Sequence, residues 1–167
     1  MKIIANKSIP FLKCHLLLVI LLLLPTMLVA GTQQEIKDII QQKSAPVGIV
    51  FEILENKESD ITWTLQIINR ASQKLRQRFP KINIAVVSHG NELFALTKAK
   101  RSTYKKIHSL VEQMNKDNIP IEVCGTAASW QNQSTTDFPK YVDVVEAAPD
   151  KIQFYEDLGY QLIEVAK

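Results

Sequence analysis

The sequence predicts an α/β fold, a mainly parallel sheet with helices on both faces, and three observations carry that expectation. Five short apolar runs, rich in β-branched residues, fall at residues 47–54, 82–87, 121–124, 141–145 and 160–165. Segments with helical spacing of apolar residues alternate with them, and parallel neighbours need such crossovers, which are right-handed. The chain has 167 residues, about one domain's worth, so a single core is expected.

Each element follows from local chemistry. Residues 32–46 are rich in Gln and Lys and end Ser44-Ala45-Pro46, which predicts a polar lead-in with one helical turn around Ile36, Ile39 and Ile40. Val47 to Leu54 is apolar apart from Gly48 and Glu52, suiting a strand covered on both faces. Ser59-Asp60 offers an N-cap, and Ile61, Leu65, Ile68, Leu75 and Phe79 keep near-helical spacing up to Pro80, where a helix stops. Ile82 to Val87 is a second buried strand running into Ser88-His89-Gly90-Asn91, where the chain turns.

Glu92 to Thr97 predicts a helical turn or two. Ser102-Thr103 can cap a helix carrying Ile107, Leu110, Val111 and Met114, with His108 on its surface. Ile121 to Cys124 is a third strand ended by Gly125, and Ala127 to Gln133 forms a short helix before the turn at Asp137-Phe138-Pro139. Tyr141 to Val145 is the fourth strand. Pro149 suits the first turn of a helix through Leu158, Gly159 closes it, and Tyr160 to Val165 is the fifth strand.

The N-terminus has a different composition. Residues 1–15 contain Lys2, Lys7, Lys13 and His15 but no acid, and the apolar run Leu16 to Leu24 follows, broken by Pro25. Leu28-Val29-Ala30-Gly31 supplies the small residues of a cleavage site, so residues 1–31 read as a signal peptide cut after Ala30 or Gly31. An uncleaved anchor starting near Phe11 is the alternative, because Leu16 to Ala30 alone is short of the ~20 residues a spanning helix needs. The expected organisation is therefore a signal segment over 1–31, a lead-in over 32–46 and the α/β domain over 47–167. The expected location is periplasmic or secreted, or membrane-anchored if the leader stays.

Removing the leader removes three of the 20 basic residues, and the first acid is Glu35, so 17 Lys and Arg face 17 Asp and Glu. A formally neutral domain lacks the basic surplus that nucleic acid binding needs, and no nucleic acid partner is expected. The cluster Lys98, Lys100, Arg101, Lys105 and Lys106 reads as a solvated face. Cys14 leaves with the leader, so Cys124 is the only cysteine of the mature part and has no intramolecular disulfide partner.

Ligands of open parallel sheets bind at the carboxyl ends of the strands, which selects Glu55, then Ser88, His89, Gly90 and Asn91, then Cys124, Gly125 and Thr126. A thiol at a strand end beside glycine, facing a helix start, would have its thiolate favoured and could attack; equally, a lone cysteine is often a small buried hydrophobe. His89 can act as a base or cationic neighbour if its strand adjoins that of Cys124, since adjacent strands lie about 4.8 Å apart, or it can simply satisfy a turn. Gly48, Gly90, Gly125 and Gly159 are isolated from one another, so no phosphate loop is formed and no cofactor is expected. Two mature histidines and one cysteine lack ligand spacing, so no metal site is expected. Trp63 and Trp130 read as packing residues.

Val50-Phe51-Glu52-Ile53-Leu54, Val86-Val87-Ser88-His89-Gly90 with Glu92-Leu93, Ile121-Glu122-Val123-Cys124-Gly125 and Leu158-Gly159-Tyr160-Gln161-Leu162-Ile163 together resemble the DsrE/DsrF-like sulfur-relay family over residues 47–165. The resemblance implies a three-layer α/β/α fold with a five-stranded sheet of order 4-3-2-1-5, assembled as a homo-oligomer, a trimer or hexamer. It implies that Cys124 carries sulfur as a persulfide between a donor and an acceptor protein. His89 would stand beside it as its acid-base partner, and Gly90, Asn91, Gly125 and Thr126 would shape the pocket. Family members commonly follow the cysteine with Asn-Thr and then Met or Leu, whereas this chain has Thr126-Ala127-Ala128. A non-catalytic oligomeric binding module with a buried, inert cysteine is the other expectation this fold allows.

Overall fold

The computed structural model describes residues 30–165, and the signal segment expected over 1–31 lies outside them save for its last two positions. The elements are α1 (Ala30–Gln41), β1 (Gly48–Ile53), α2 (Ile61–Arg78), β2 (Asn83–Ser88), α3 (Lys105–Lys116), β3 (Ile121–Cys124), α4 (Gly125–Ser129), β4 (Asp143–Val145), α5 (Ala148–Asp157) and β5 (Tyr160–Val165). Short 3₁₀ turns occupy Glu58–Asp60, Asn91–Leu96, Lys98–Lys100 and Thr135–Asp137. None of the described helices is long and apolar enough to cross a membrane.

All five strands are parallel in the order β4-β3-β2-β1-β5, as the resemblance implied. β1 is central to its neighbours, pairing β2 on one side and β5 on the other over its full length. Right-handed crossovers that step in one direction, β1 to β2 to β3, place α2 and α3 on one face; the return from β4 to β5 places α5 on the other. α1 packs on α2 and β5 and α2 packs on α3, while α5 lies on β1, β2 and β5. The core is continuous between these layers, with Phe51, Ile53, Leu65, Leu75, Val86 and Ile121 fully buried.

Several elements differ from expectation for identifiable reasons. The lead-in is a three-turn helix, because Ile36 and Ile39 bury against the core and Thr32 Oγ1 donates to the Glu164 carbonyl 3.0 Å away. Tertiary packing outweighs the weak intrinsic propensity of that segment. Asp60 precedes α2 without capping it by its side chain; its Oδ1 accepts from the Trp63 indole and its carbonyl from Thr64 Oγ1. α3 starts at Lys105, after Tyr104, and not at the Ser102-Thr103 pair. β4 is only three residues long, because Val142 closes a turn onto the Pro139 carbonyl before the ladder begins. α5 has Pro149 in its first turn and is closed two residues past its end by Gly159, whose φ of +89° is the left-handed conformation glycine favours.

Candidate functional site

The site is built at the carboxyl ends of β1, β2 and β3. In-register neighbours on parallel strands share a face, so the pairs Glu52 with Val87 and Val87 with Glu122 put both carboxylates on the face that α5 covers. Alternation then brings His89 and Cys124 to that same face, one step further along. His89 sits just past β2, where its backbone N–H still continues the ladder by donating to the Ile53 carbonyl at 3.0 Å.

Cys124 closes β3 and is 5% exposed, within the core cluster. Its Sγ accepts the backbone N–H of Ala127 and that of Ala148, each at 3.4 Å. Gly125 and Thr126 follow at the start of α4, and Thr126 is fastened to the Glu146 carbonyl by both its backbone N–H (3.1 Å) and its hydroxyl (2.9 Å). β2 and β3 are adjacent, as expected, but the hydrogen bonds of the two predicted site residues diverge. His89 Nε2 meets Glu52 Oε1 at 2.7 Å, both side chains largely buried, while the bonds of Cys124 run to α4 and α5.

An open groove of about 170 Å³ lies over these strand ends, lined by Leu54, His89, Asn91, Phe94, Ala127 and Trp130 among others. Gly90 is also part of its wall. Ala127 both lines the groove and donates its backbone N–H to Cys124 Sγ, so one residue is shared by the groove wall and the sulfur's hydrogen bonds. Trp130, expected to pack, is instead 77% exposed and lines the groove, as does Leu54 at 60% exposed. Trp63 is half-buried against the core. Asn91 bridges outward, its amide donating to the Asn56 carbonyl at 3.0 Å.

Sequence reasoning missed the residue that holds these loops together. Glu92 has no exposed surface, and its carboxylate accepts three hydrogen bonds: Ser88 Oγ (2.7 Å) and the Gly90 N–H (3.0 Å) on Oε1, and the Glu55 N–H (2.8 Å) on Oε2. It thereby ties the loop after β1 to the loop after β2. Burial pushes its pKa above the ordinary carboxylate value, against the pull of Ser88 and the backbone donors. Gly90 is required here by space, since a Cβ would press on Glu92 Oε2 and on the Glu55 backbone. The only sequence signal was Glu-Leu directly after a turn, which does not distinguish a buried carboxylate from a solvated one.

His108 is also corrected. It is 2% exposed, not on the helix surface, with Nε2 3.0 Å from the Ala95 carbonyl and Nδ1 2.8 Å from the Tyr141 hydroxyl. Its desolvation lowers its pKa from the usual histidine value.

No family model matches the chain, and no curated protein matches it. Solved structures do. A protein of unknown function, MTH1491 from Methanobacterium thermoautotrophicum, superposes with a TM-score of 0.57 at 18% identity, covering 70% of this chain and 97% of its own. The YchN protein from E. coli superposes with a TM-score of 0.51 at 14% identity, covering 71% of this chain and 99% of its own. The chain shares the fold of these DsrE/YchN-like proteins. At such identities the likeness concerns the fold alone.

Proposed function

We propose that this chain is an exported DsrE-like protein that handles sulfur through Cys124, which serves as thiolate and persulfide carrier. The observation that carries this reading is the convergence of two backbone N–H groups, from Ala127 and Ala148, on Sγ at the carboxyl end of a central strand. Donors aimed at sulfur complement negative charge on it. In the loading step the Cys124 thiolate attacks the outer sulfur of a persulfide or polysulfide donor. The Sγ–S bond forms, the donor's S–S bond breaks, and its electron pair leaves on the donor sulfur, so no oxidant is consumed. Cys124 is 5% exposed and is not among the residues that line the groove, so loading requires a local rearrangement around Sγ. Assembly as a trimer or hexamer belongs to the same proposal, supported by the exposed Phe154 of α5 and Leu158 just after it. Location in the periplasm or outside the cell is checked by the N-terminus of protein taken from its native compartment.

The second reading, a binding module with an inert cysteine, is favoured by the 5% exposure of Cys124. Brief treatment of the folded protein with polysulfide, followed by alkylation and peptide mass spectrometry, separates the two. Sulfur added to Cys124 in the native state, and absent from a Cys124→Ala control, supports carriage; a thiol modified only after denaturation overturns it.

A further inference from the structure

His89 and Glu52 form a unit separate from the sulfur's hydrogen bonds. The imidazole Nε2 lies 2.7 Å from Glu52 Oε1 at the ends of adjacent strands, and the pair is largely shielded, with side-chain exposures of 16% and 19%. A carboxylate in that position accepts the Nε2–H of the neutral ring, which fixes the tautomer and leaves the Nδ1 lone pair as the basic site. Nδ1 makes no hydrogen bond to any of the described residues, and His89 lines the open groove. The groove's about 170 Å³ is small beside the 300–1,000 Å³ typical of drug-sized ligands, and its wall combines Leu54, Phe94 and Trp130 with the amide of Asn91. It suits a small thiol or a cysteine side chain presented by a partner.

We infer that the Glu52–His89 pair is a general-base dyad that ionises a thiol bound in this groove, with His89 Nδ1 taking the S–H proton and Glu52 positioning the ring. The substrate class, a thiol, rests on the sulfur-carrier reading; the dyad itself rests on geometry. In the unloading step the new thiolate attacks the outer sulfur of the Cys124 persulfide. The acceptor's S–S bond forms, the Sγ–S bond breaks, and the electron pair returns to Sγ, where the Ala127 and Ala148 N–H groups receive it. The proton remains on His89 until the product persulfide leaves. A thiol with an ordinary pKa near 8.5 is only about 3% ionised at pH 7, so full ionisation by a base accelerates attack up to about thirtyfold.

Two measurements on the full chain test this. The first loads Cys124 with polysulfide and follows release to 2-mercaptoethanol from pH 6 to pH 10, in the wild type, His89→Asn and Glu52→Gln. Both variants should be at least about tenfold slower at pH 7 and draw closer to the wild type toward pH 10, where the thiol ionises unaided; a deficit constant across pH would assign His89 a structural role instead. The second records ¹⁵N histidine spectra of Cys124→Ala protein, in which sulfur carriage is absent. An Nε2-protonated His89 that gains a proton on Nδ1 when 2-mercaptoethanol is added, with the response lost in Glu52→Gln, supports the dyad. An Nδ1-protonated tautomer, or a ring indifferent to thiol, overturns it. If Cys124 never loads, the carrier reading fails while the spectra still decide the dyad.

Discussion

Replacing Glu92 by Gln keeps the shape of the side chain and changes only which atoms accept. In the native site Oε1 takes the Ser88 hydroxyl and the Gly90 N–H, and Oε2 takes the Glu55 N–H. Either orientation of the amide sets its NH₂ against a backbone N–H, because each oxygen has one. The Ser88 hydroxyl can rotate to accept, but a backbone donor cannot. One charge-assisted bond is therefore lost and one buried N–H left without an acceptor, a cost of about 2–4 kcal/mol. Removing the desolvated charge returns part of this, since burial already disfavours the ionised form. The net expectation is a loss of about 2 kcal/mol at pH 7. Glu92→Ala strands all three donors and opens a void, for about 4 kcal/mol. Urea unfolding gives the global numbers. Amide hydrogen exchange gives the local ones, with Glu55 and Gly90 losing protection first because they are the donors released. A Glu92→Gln protein within 0.5 kcal/mol of wild type, with those two amides still protected, would refute the assignment of Glu92 as the clasp between the loops.

Two further outcomes follow from buried charges. Lys151 Nζ lies 3.1 Å from Glu122 Oε1 beneath α5, and burial raises the Glu122 pKa while Lys151 lowers it. Lys151→Met should cost about 3 kcal/mol near pH 8 and less near pH 5, because a carboxyl with a raised folded pKa is stabilised as it takes up its proton; a deficit independent of pH between these values would sink the account. His108 carries the opposite sign. Its folded pKa is lowered by desolvation, so the unfolded chain binds the proton more tightly, and stability falls as pH drops below the ordinary 6.5. Arg101 adds to this; the Ala95 carbonyl and Tyr141 face the ring. Urea midpoints from pH 7.5 to 5 should decline more steeply in wild type than in His108→Gln, and parallel curves would show that another group carries the acid sensitivity.

The placement of strands and helices was legible because periodicity and punctuation are local. The apolar runs at Gly48–Ile53, Asn83–Ser88 and Ile121–Cys124, Pro149 near the start of α5 and Gly159 after its end all express constraints acting within a few residues. Parallel pairing follows from those elements, and the strand order came from the resemblance of the motifs. The ends of elements were less legible, as with α1, whose Ile36 and Ile39 mean little until a core exists to receive them.

The candidate site divides in the same way. The sequence by itself determined that His89, Gly90, Asn91, Cys124, Gly125 and Thr126 stand at strand ends, because a strand's last residue and the turn after it are chain neighbours. Only the tertiary structure decided that Glu52 is the partner of His89, that Cys124 takes its hydrogen bonds from Ala127 and Ala148, that Glu92 is a buried clasp, and that Trp130 is exposed while His108 is not. Burial, and hydrogen bonding between residues brought together from different elements, depend on how strands register and helices dock. A single sequence states the residue types available for those contacts; the packing of the sheet against its helices selects which of them meet.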